Sequence, residues 1–337
     1  MNCVTGKLLF FVRAGSSVCT DLDINQVVIL LPQHAVDVSL GRERDTDCAI
    51  IDCLIFWLFL VQIIVDLHCH STASDGLLSA EALVRRAAAN GVSLFSLTDH
   101  DDLGGLAAAR VVADQVGMQF ITGVEISVEW GSLQVHVLGY NFDAADAKLN
   151  AGLQAIRTGR IERARRMGEA LEKAGILGCF EGAMRFAENP TLISRAHFAR
   201  HLVDSGVCKD VRSVFESYIV PGRPGYVDHR WVTVAEAVGW IVGAGGIAAV
   251  AHPGRYKFSR SEMRQLFDEF KQCGGQAIEV VSGSHSADNV SQCARWAREF
   301  DLMASCGSDF HGPEESYVDL GRIDPLPVGL MPVWEAF

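Results

Sequence analysis

The sequence lacks any paired-cysteine signature. Its ten cysteines (Cys3, Cys19, Cys48, Cys53, Cys69, Cys179, Cys208, Cys273, Cys293 and Cys306) are scattered without a C-x-x-C pair, which excludes a zinc ribbon or a secreted disulfide scaffold and reads as reduced thiols in a cytoplasmic protein. A long apolar run is also missing. Cys53–Val61 is strongly apolar but nine residues long, against about 20 for a spanning helix. Extending it across Asp52 and Gln62 to Cys48–Val65 gives enough length for an anchor, yet those polar interruptions weigh against a membrane segment, as the absent charged n-region weighs against a secretory leader. Nor is there a basic excess: 29 Lys and Arg face 41 Asp and Glu, a formal net charge of −12. That excludes broad attraction to duplex DNA or an anionic membrane and leaves room for a small anionic substrate, provided cations are concentrated locally or metals are bound. Internal repeats and low-complexity tracts are absent as well.

What is present is a chain of 337 residues with 49% apolar content, enough for a full core. From Ile63 onward strand-like and helix-like runs alternate, the pattern of an α/β protein with a parallel sheet. The strands read as Ile63–His68, Ser93–Leu97, Gln119–Val124, Gln134–Gly139, Ile247–Ala251, Ala277–Val281 and Leu302–Ser305. The helices read as Ser79–Ala89, Leu103–Val116, Val234–Val242, Ser261–Cys273 and Ala287–Phe300. Residues 146–230 break the alternation: they are helical and rich in arginine ("RTGRIERARRMGEALEKAG"), and read as an inserted subdomain. The expected organisation is therefore an α/β barrel from 63–145 and 231–337, a helical insertion at 146–230, and an extension at 1–62 that is an early start or a poorly ordered tail.

Chemistry enters at "DLHCHS", residues 66–71. In an extended strand Asp66, His68 and His70 share one face, so two imidazoles converge. Each later strand ends near a residue suited to a divalent cation: Asp99 and His100 in "LTDHDD", Glu125 in "GVEIS", His136 in "VHVLGY", His252 in "AVAHPGRY", and Asp309 and His311 in "SCGSDFHG", with Asp75 in "TASDG" beyond the first strand. Taken singly, His136 suits a core histidine, Asp75 a turn and Asp99 a helix cap. Jointly, His68, His70, Asp75, His100, Glu125, His136, His252, Asp309 and His311 at one barrel mouth would be costly to bury without a cation. Six imidazoles and three carboxylates exceed the about four ligands of a single zinc site and suit two or three divalent ions; Mn, Zn and Fe all accept this donor mixture.

The order of HxH, TDHD, a mid-chain Glu, AHPG and SDFH over Ile63–Pro313 resembles the PHP family, the polymerase and histidinol phosphatase metallophosphoesterases. The resemblance implies a distorted seven-stranded (β/α) barrel around a trinuclear centre. It assigns His68, His70, Glu125 and Asp309 to one metal, His136 and His252 with a bridging Glu125 to a second, and Asp75, His100 and His311 to a third. Within the family, "NPTLISRAHFARHLVDSG", "PGRPGYV" and "IEVVSGSHS" look most like the 3′,5′-nucleoside bisphosphate phosphatases, which convert adenosine 3′,5′-bisphosphate to AMP. On that likeness Ser194, Arg195, His197 and Arg255 face the substrate, His197 protonates the leaving 3′-oxygen, and hydroxide bridging two metals, manganese first among the options, attacks phosphorus. Glu125 and Asp309 are then central to catalysis, and Asp66, Asp99 and Asp101 are expected to orient the imidazoles. His201, Ser282 and His285 read as structural.

Rival readings are a histidinol-phosphate phosphatase or a 5′–3′ RNA exonuclease acting on short 5′-phosphorylated RNA, an amidohydrolase, and a non-catalytic metal module. The absence of an extended basic track favours a small nucleotide over RNA. Many amidohydrolases bridge their metals through a modified lysine, and none of the six lysines closes a predicted strand.

Overall fold

The structure is a computed structural model that describes Phe11–Ala14, Ile24–Leu30, Ala35–Ser39, residues 63–131 and residues 133–337. Met1–Ile63 and Ile64–Phe337 form separate compact units. In the first, β1 (Phe11–Ala14), β2 (Ile24–Leu30) and β3 (Ala35–Ser39) pair as an antiparallel meander. The apolar run Cys53–Val61 lies outside the described residues. No helix among the described residues is long and apolar enough to cross a membrane.

The second unit begins with β4 (Ile64–Asp66), α1 (Ala80–Ala89), β5 (Val92–Leu97), α2 (Leu106–Val116), β6 (Gln119–Trp130) and β7 (Leu133–Tyr140). α1 starts where the Ser79 side chain accepts the Ala82 amide, and it buries Ala80, Leu83, Val84 and Ala87 along one stripe. After α3 (Ala147–Lys173), α4 (Cys179–Met184), α5 (Arg195–Asp204) and α6 (Val211–Val214), the alternation resumes with β8 (Val232–Thr233), α7 (Val234–Gly243), β9 (Ile247–Val250), α8 (Arg260–Gln272), β10 (Ala277–Ser282), α9 (Ala287–Glu299) and β11 (Met303–Gly307).

Seven strands line up as β11-β10-β9-β7-β6-β5-β4, with β8 attached to β6. The sheet nearly closes on itself. The Leu67 amide donates to the Cys306 carbonyl at 3.0 Å and the Asp309 amide to the His68 carbonyl at 2.8 Å, and Cys69 bridges to Phe310. The approach at this seam is tight: a Cβ on Gly307 would lie 2.2 Å from His68 Cβ.

The expected seven strands are thus present, but the sheet is not all parallel. β7 runs antiparallel to both β6 and β9, because too few residues separate β6 from β7 for a crossover and only a hairpin fits. β6 is also twice the expected length, so Glu125 sits within the strand rather than at its end.

The 27-residue α3 serves two cores. Leu149, Leu153 and Ile156 join the barrel core. Ala164, Met167 and Leu171 join a separate cluster with Cys179, Phe198, Leu202 and Val214 from the following helices. Arg160 and Arg163 lie at the crossing between them, both buried.

Candidate metal centre and active-site cavity

The segment after β4 is pinned from both sides: the Thr98 amide donates to the Cys69 carbonyl at 3.0 Å and the His70 amide to the Phe310 carbonyl at 2.9 Å. Extended backbone then turns Leu67 and Cys69 into the apolar core and leaves His68 and His70 together, their Nε2 atoms 3.3 Å apart. Opposite them, the β6/β7 register pairs Glu125 with Leu138 and Ser127 with His136, which puts Glu125 and His136 on one face as diagonal neighbours.

Glu125 is fully buried and each of its oxygens faces a different set of rings. His136 Nδ1 and His252 Nε2 lie 2.7 and 2.9 Å from Oε1. His68 Nε2, His70 Nε2 and His100 Nδ1 lie 3.4, 3.3 and 2.9 Å from Oε2. The first carboxylate oxygen of Asp309 is 3.5 Å from His68 and 3.3 Å from His70. Asp75 Oδ1 is 3.8 Å from His100 Nε2 and 3.6 Å from His311 Nε2. All nine sequence-predicted ligands therefore converge, in overlapping groups: His68–His70–Asp309, His68–Glu125–His252, His100–Glu125–His136, and His70–Asp75–His100–His311. His70 joins the Asp75 group, a sharing the sequence did not indicate.

The backbone is bent to reach this arrangement. Asp101, His252 and Asp309 all have positive φ, 50°, 25° and 53°, conformations that cost about 1 to 3 kcal/mol each and persist where the surroundings over-determine them. His252 is held by its amide donating to Glu279 Oε2 at 2.6 Å.

Two observations test whether the residues suit divalent cations. Glu125 Oε2 and Asp75 Oδ1, both turned toward the histidine cluster, are buried without a well-aligned hydrogen bond, an expensive state for polar atoms. His68 Nε2 and His70 Nε2 lie 3.3 Å apart, and both lie 3.3 to 3.5 Å from Asp309 Oδ1 and from Glu125 Oε2, the separation that nitrogen and oxygen donors take up when each is about 2.1 Å from a shared cation. The donor set fits.

The electrostatics agree. Burial alone would raise the Glu125 pKa, but His136, His100 and His68 bring it well below the usual carboxylate range. Burial is likewise overcome at Asp309 by His68, His70 and Arg255, and at Asp75 by His100, His311 and His70. The carboxylates are ready to bind cations. Burial pulls His252 down to about 3 and Arg255 adds to it, so this ring is neutral, the state a ligand needs. His68 goes the other way: burial lowers its pKa, yet Glu279, Glu125 and Asp309 raise it well above normal, so cation binding there would release a proton.

These groups open into a cavity of about 330 Å³, lined also by Arg160, Arg163, Ser194, Arg195, Arg255 and Tyr317. Arg255 donates to Asp309 Oδ2 at 2.7 Å, and the Ser194 hydroxyl donates to Asp75 Oδ2 at 2.9 Å. His197 lies outside the lining. Its Nδ1 accepts the Ser194 amide at 3.0 Å, closing a capping box on α5, and burial lowers its pKa to about 4.

Other expectations shift. None of Asp66, Asp99 and Asp101 touches an imidazole: Asp66 accepts the Ser308 and Gly321 amides, Asp99 the Ser71 amide and the Ser71 and Ser74 hydroxyls, and Asp101 the Ser127 amide and Arg160. They tie loops rather than rings. The orienting carboxylate is Glu279, buried, which takes His68 Nδ1 at 2.9 Å. Its signal was present as a lone acid in the apolar "AIEVV" strand. Also unanticipated are Gln134, 3.1 Å from His136 Nε2, and Arg200, whose guanidinium pairs with Glu315 and donates to the Asp75 carbonyl. His285 is structural as expected, accepting the Gly254 amide at 3.1 Å.

Residues 66–280 match the PHP domain family. The chain belongs to that family. It is 53% identical over 270 residues to a 3′,5′-nucleoside bisphosphate phosphatase from Chromobacterium violaceum, covering 80% of this chain and 95% of the relative. It is 42% identical over 272 residues to a 5′-3′ exoribonuclease from Haemophilus influenzae, covering 81% and 98%. A solved structure described as an amidohydrolase from Chromobacterium violaceum, with bound sulfate and no metal, superposes with a TM-score of 0.79 at 53% identity over 81% of this chain and 95% of that one. A Bifidobacterium adolescentis structure shares the PHP fold at a TM-score of 0.68 and 24% identity, covering 81% of this chain and 93% of that one.

Proposed function

We propose that this PHP-family chain is a metal-dependent phosphatase that removes the 3′-phosphate from nucleoside 3′,5′-bisphosphates, taking adenosine 3′,5′-bisphosphate to AMP. The observation that carries it is a nine-ligand His/Asp/Glu cluster opening directly into an arginine-lined cavity; the 53% identity to a phosphatase of that specificity supports the choice of substrate.

In this reading His68, His70, Glu125 and Asp309 hold one cation, Glu125 with His136 and His252 a second, and Asp75, His100 and His311 a third, with manganese preferred and zinc or iron as the alternatives. The chemistry that bound divalent cations supply here is neutralisation of phosphate charge and acidification of a water at neutral pH. The protein's part is placement. Arg255, already anchored on Asp309, and Arg195 present guanidinium forks to phosphate oxygens. Ser194 fixes Asp75. His197, neutral at pH 7 with Nδ1 engaged by the Ser194 amide, acts as a helix cap rather than as the acid for the leaving 3′-oxygen.

The test is elemental analysis together with phosphate release from adenosine 3′,5′-bisphosphate, for wild type beside His68→Asn and Asp309→Asn. Wild type should carry two to three divalent ions, and both variants should lose metal and at least about 100-fold in kcat/KM, the scale on which such ligands act. Equal or faster turnover of histidinol phosphate or of a 5′-phosphorylated oligoribonucleotide by wild type would replace this substrate.

A further inference from the structure

The nine candidate ligands are not held alike. Glu125 and His136 lie within β6 and β7, and the His136 amide donates to the Tyr256 hydroxyl at 2.9 Å. The His68 ring and the His252 amide both bond Glu279, and the Asp309 amide donates to the His68 carbonyl at 2.8 Å. All of these supports belong to the barrel. Asp75 and His311 sit instead on the loops that follow β4 and β11, and side chains from the helical segment that runs from α3 to α6 reach both loops.

Asp75 shows the difference most directly. Its Oδ2 accepts the Ser194 hydroxyl at 2.9 Å and its carbonyl accepts Arg200; among the described residues no barrel donor bonds either group. Earlier in the same loop the Ala73 carbonyl accepts the Asn189 side-chain amide at 3.1 Å. Arg200 also forks onto Glu315, with donor–acceptor distances of 2.7 and 2.8 Å. Glu315 lies in the turn after His311, which the Ser316 hydroxyl closes by accepting the His311 amide, so one guanidinium spans the loops of both ligands. His100 has a further tie: Arg157 Nη1 donates at 2.7 Å to the carbonyl of Asp101, in a loop that two backbone bonds also fasten to β6. The helices that supply these donors have a core of their own, in which Phe198 and Leu202 of α5 join Met167 and Leu171 of α3, and α5 therefore presents Ser194 and Arg200 as one body.

We infer that Arg200, with Arg157, is a positioning residue that assembles the Asp75–His100–His311 cation site, so that docking of the helical segment and occupancy of that one site are coupled, while the sites around Glu125 form without it; this rests on the three-cation reading of the centre. Such coupling is reciprocal: the factor by which docked helices raise the affinity for the cation is the factor by which the cation favours docking. Calorimetric titration of metal-free protein with Mn2+ reads the first direction. Wild type should take up three ions. Arg200→Met should weaken the weakest of the three sites by about 10- to 100-fold, the scale on which supporting contacts act, while the two tighter sites stay within about twofold of wild type. Arg157→Met, at a side chain 22% exposed and so the gentler change to the fold, should move the same site in the same direction.

Equal weakening of all three sites, no change at any of them, or a wild type that takes up only two ions overturns the inference. Phosphate release from adenosine 3′,5′-bisphosphate, measured alongside, judges the phosphatase reading separately: three ions bound with the expected selectivity but no turnover would end that reading and leave the coupling standing. Hydrogen exchange reads the reciprocal direction. Saturating Mn2+ should slow the amides of α5 in wild type by the same factor of about 10 to 100. In His311→Asn, which removes a ligand whose ring bonds the Asp309 carbonyl and faces Asp75 rather than the helices, the ion should no longer slow them. Equal slowing in both proteins would show that the tighter sites govern α5, and would overturn the inference.

Discussion

At the scale of single residues, the candidate ligands were legible because cation chemistry admits few side chains. A histidine or carboxylate at the end of an apolar strand has little else to do there, and all nine positions found by that logic converge. What the sequence hid was the support. Glu279 was one acid inside an apolar strand, and only the fold brings it to His68, 211 positions away. It holds the Nδ1 side of that ring and the His252 amide together, so Glu279→Gln should keep the fold and weaken cation binding by about 10- to 100-fold, as losses of such supporting carboxylates do. Competition with a chelator of known affinity measures it; an unchanged dissociation constant would mean the ring is held by the barrel alone. At the seam, Gly307→Ala would drive a methyl into His68. Neither contact can shift without opening the first strand from the last. A loss of about 1 to 3 kcal/mol in urea unfolding is expected for such overpacking, together with weaker cation binding.

At the scale of elements, local punctuation was readable. Ser79, Thr233, Ser259 and Ser286 each cap a helix through their side chains, and those helices begin within a residue or two of where the apolar periodicity placed them. Strand direction was not readable from periodicity, since an alternating run looks the same in either sense; the short connection after Trp130 held that information in its length. The insertion shows the same division. Its helical content was apparent, but a single α3 shared by two cores was not, because the switch from one buried stripe to the other falls where arginines, not apolar residues, are buried. The N-terminus of α5 joins insertion to site: Ser194 both caps the helix and bonds Asp75. Ser194→Ala should therefore cost about 1 kcal/mol in stability from the lost cap and, separately, loosen Asp75. The second effect reads out as selective loss of the most weakly held cation on dialysis, which capping alone would not cause.

At the scale of the whole molecule, the acidic balance of −12 and the buried carboxylates set how stability responds to pH, and one group isolates a basic contribution. His229 packs edge-on to Trp231, ring centroids 4.6 Å apart, at the margin of the α3 arginines. Burial first, then Arg163, Arg166 and Arg160, lower its pKa from 6.5 to about 4, with Asp228 pulling weakly the other way. The folded protein thus keeps His229 neutral between pH 6.5 and about 4, while the unfolded chain takes up a proton in that window. More protons on the unfolded side mean that stability rises with pH, so this contribution is present above pH 6.5 and is lost as pH falls toward 4. In His229→Gln that uptake is gone. Urea midpoints taken from pH 7.5 to 5 with chelated protein should fall less steeply for the variant than for wild type, the two curves diverging below pH 6.5. Parallel curves would show that the arginines are screened from His229 by solvent.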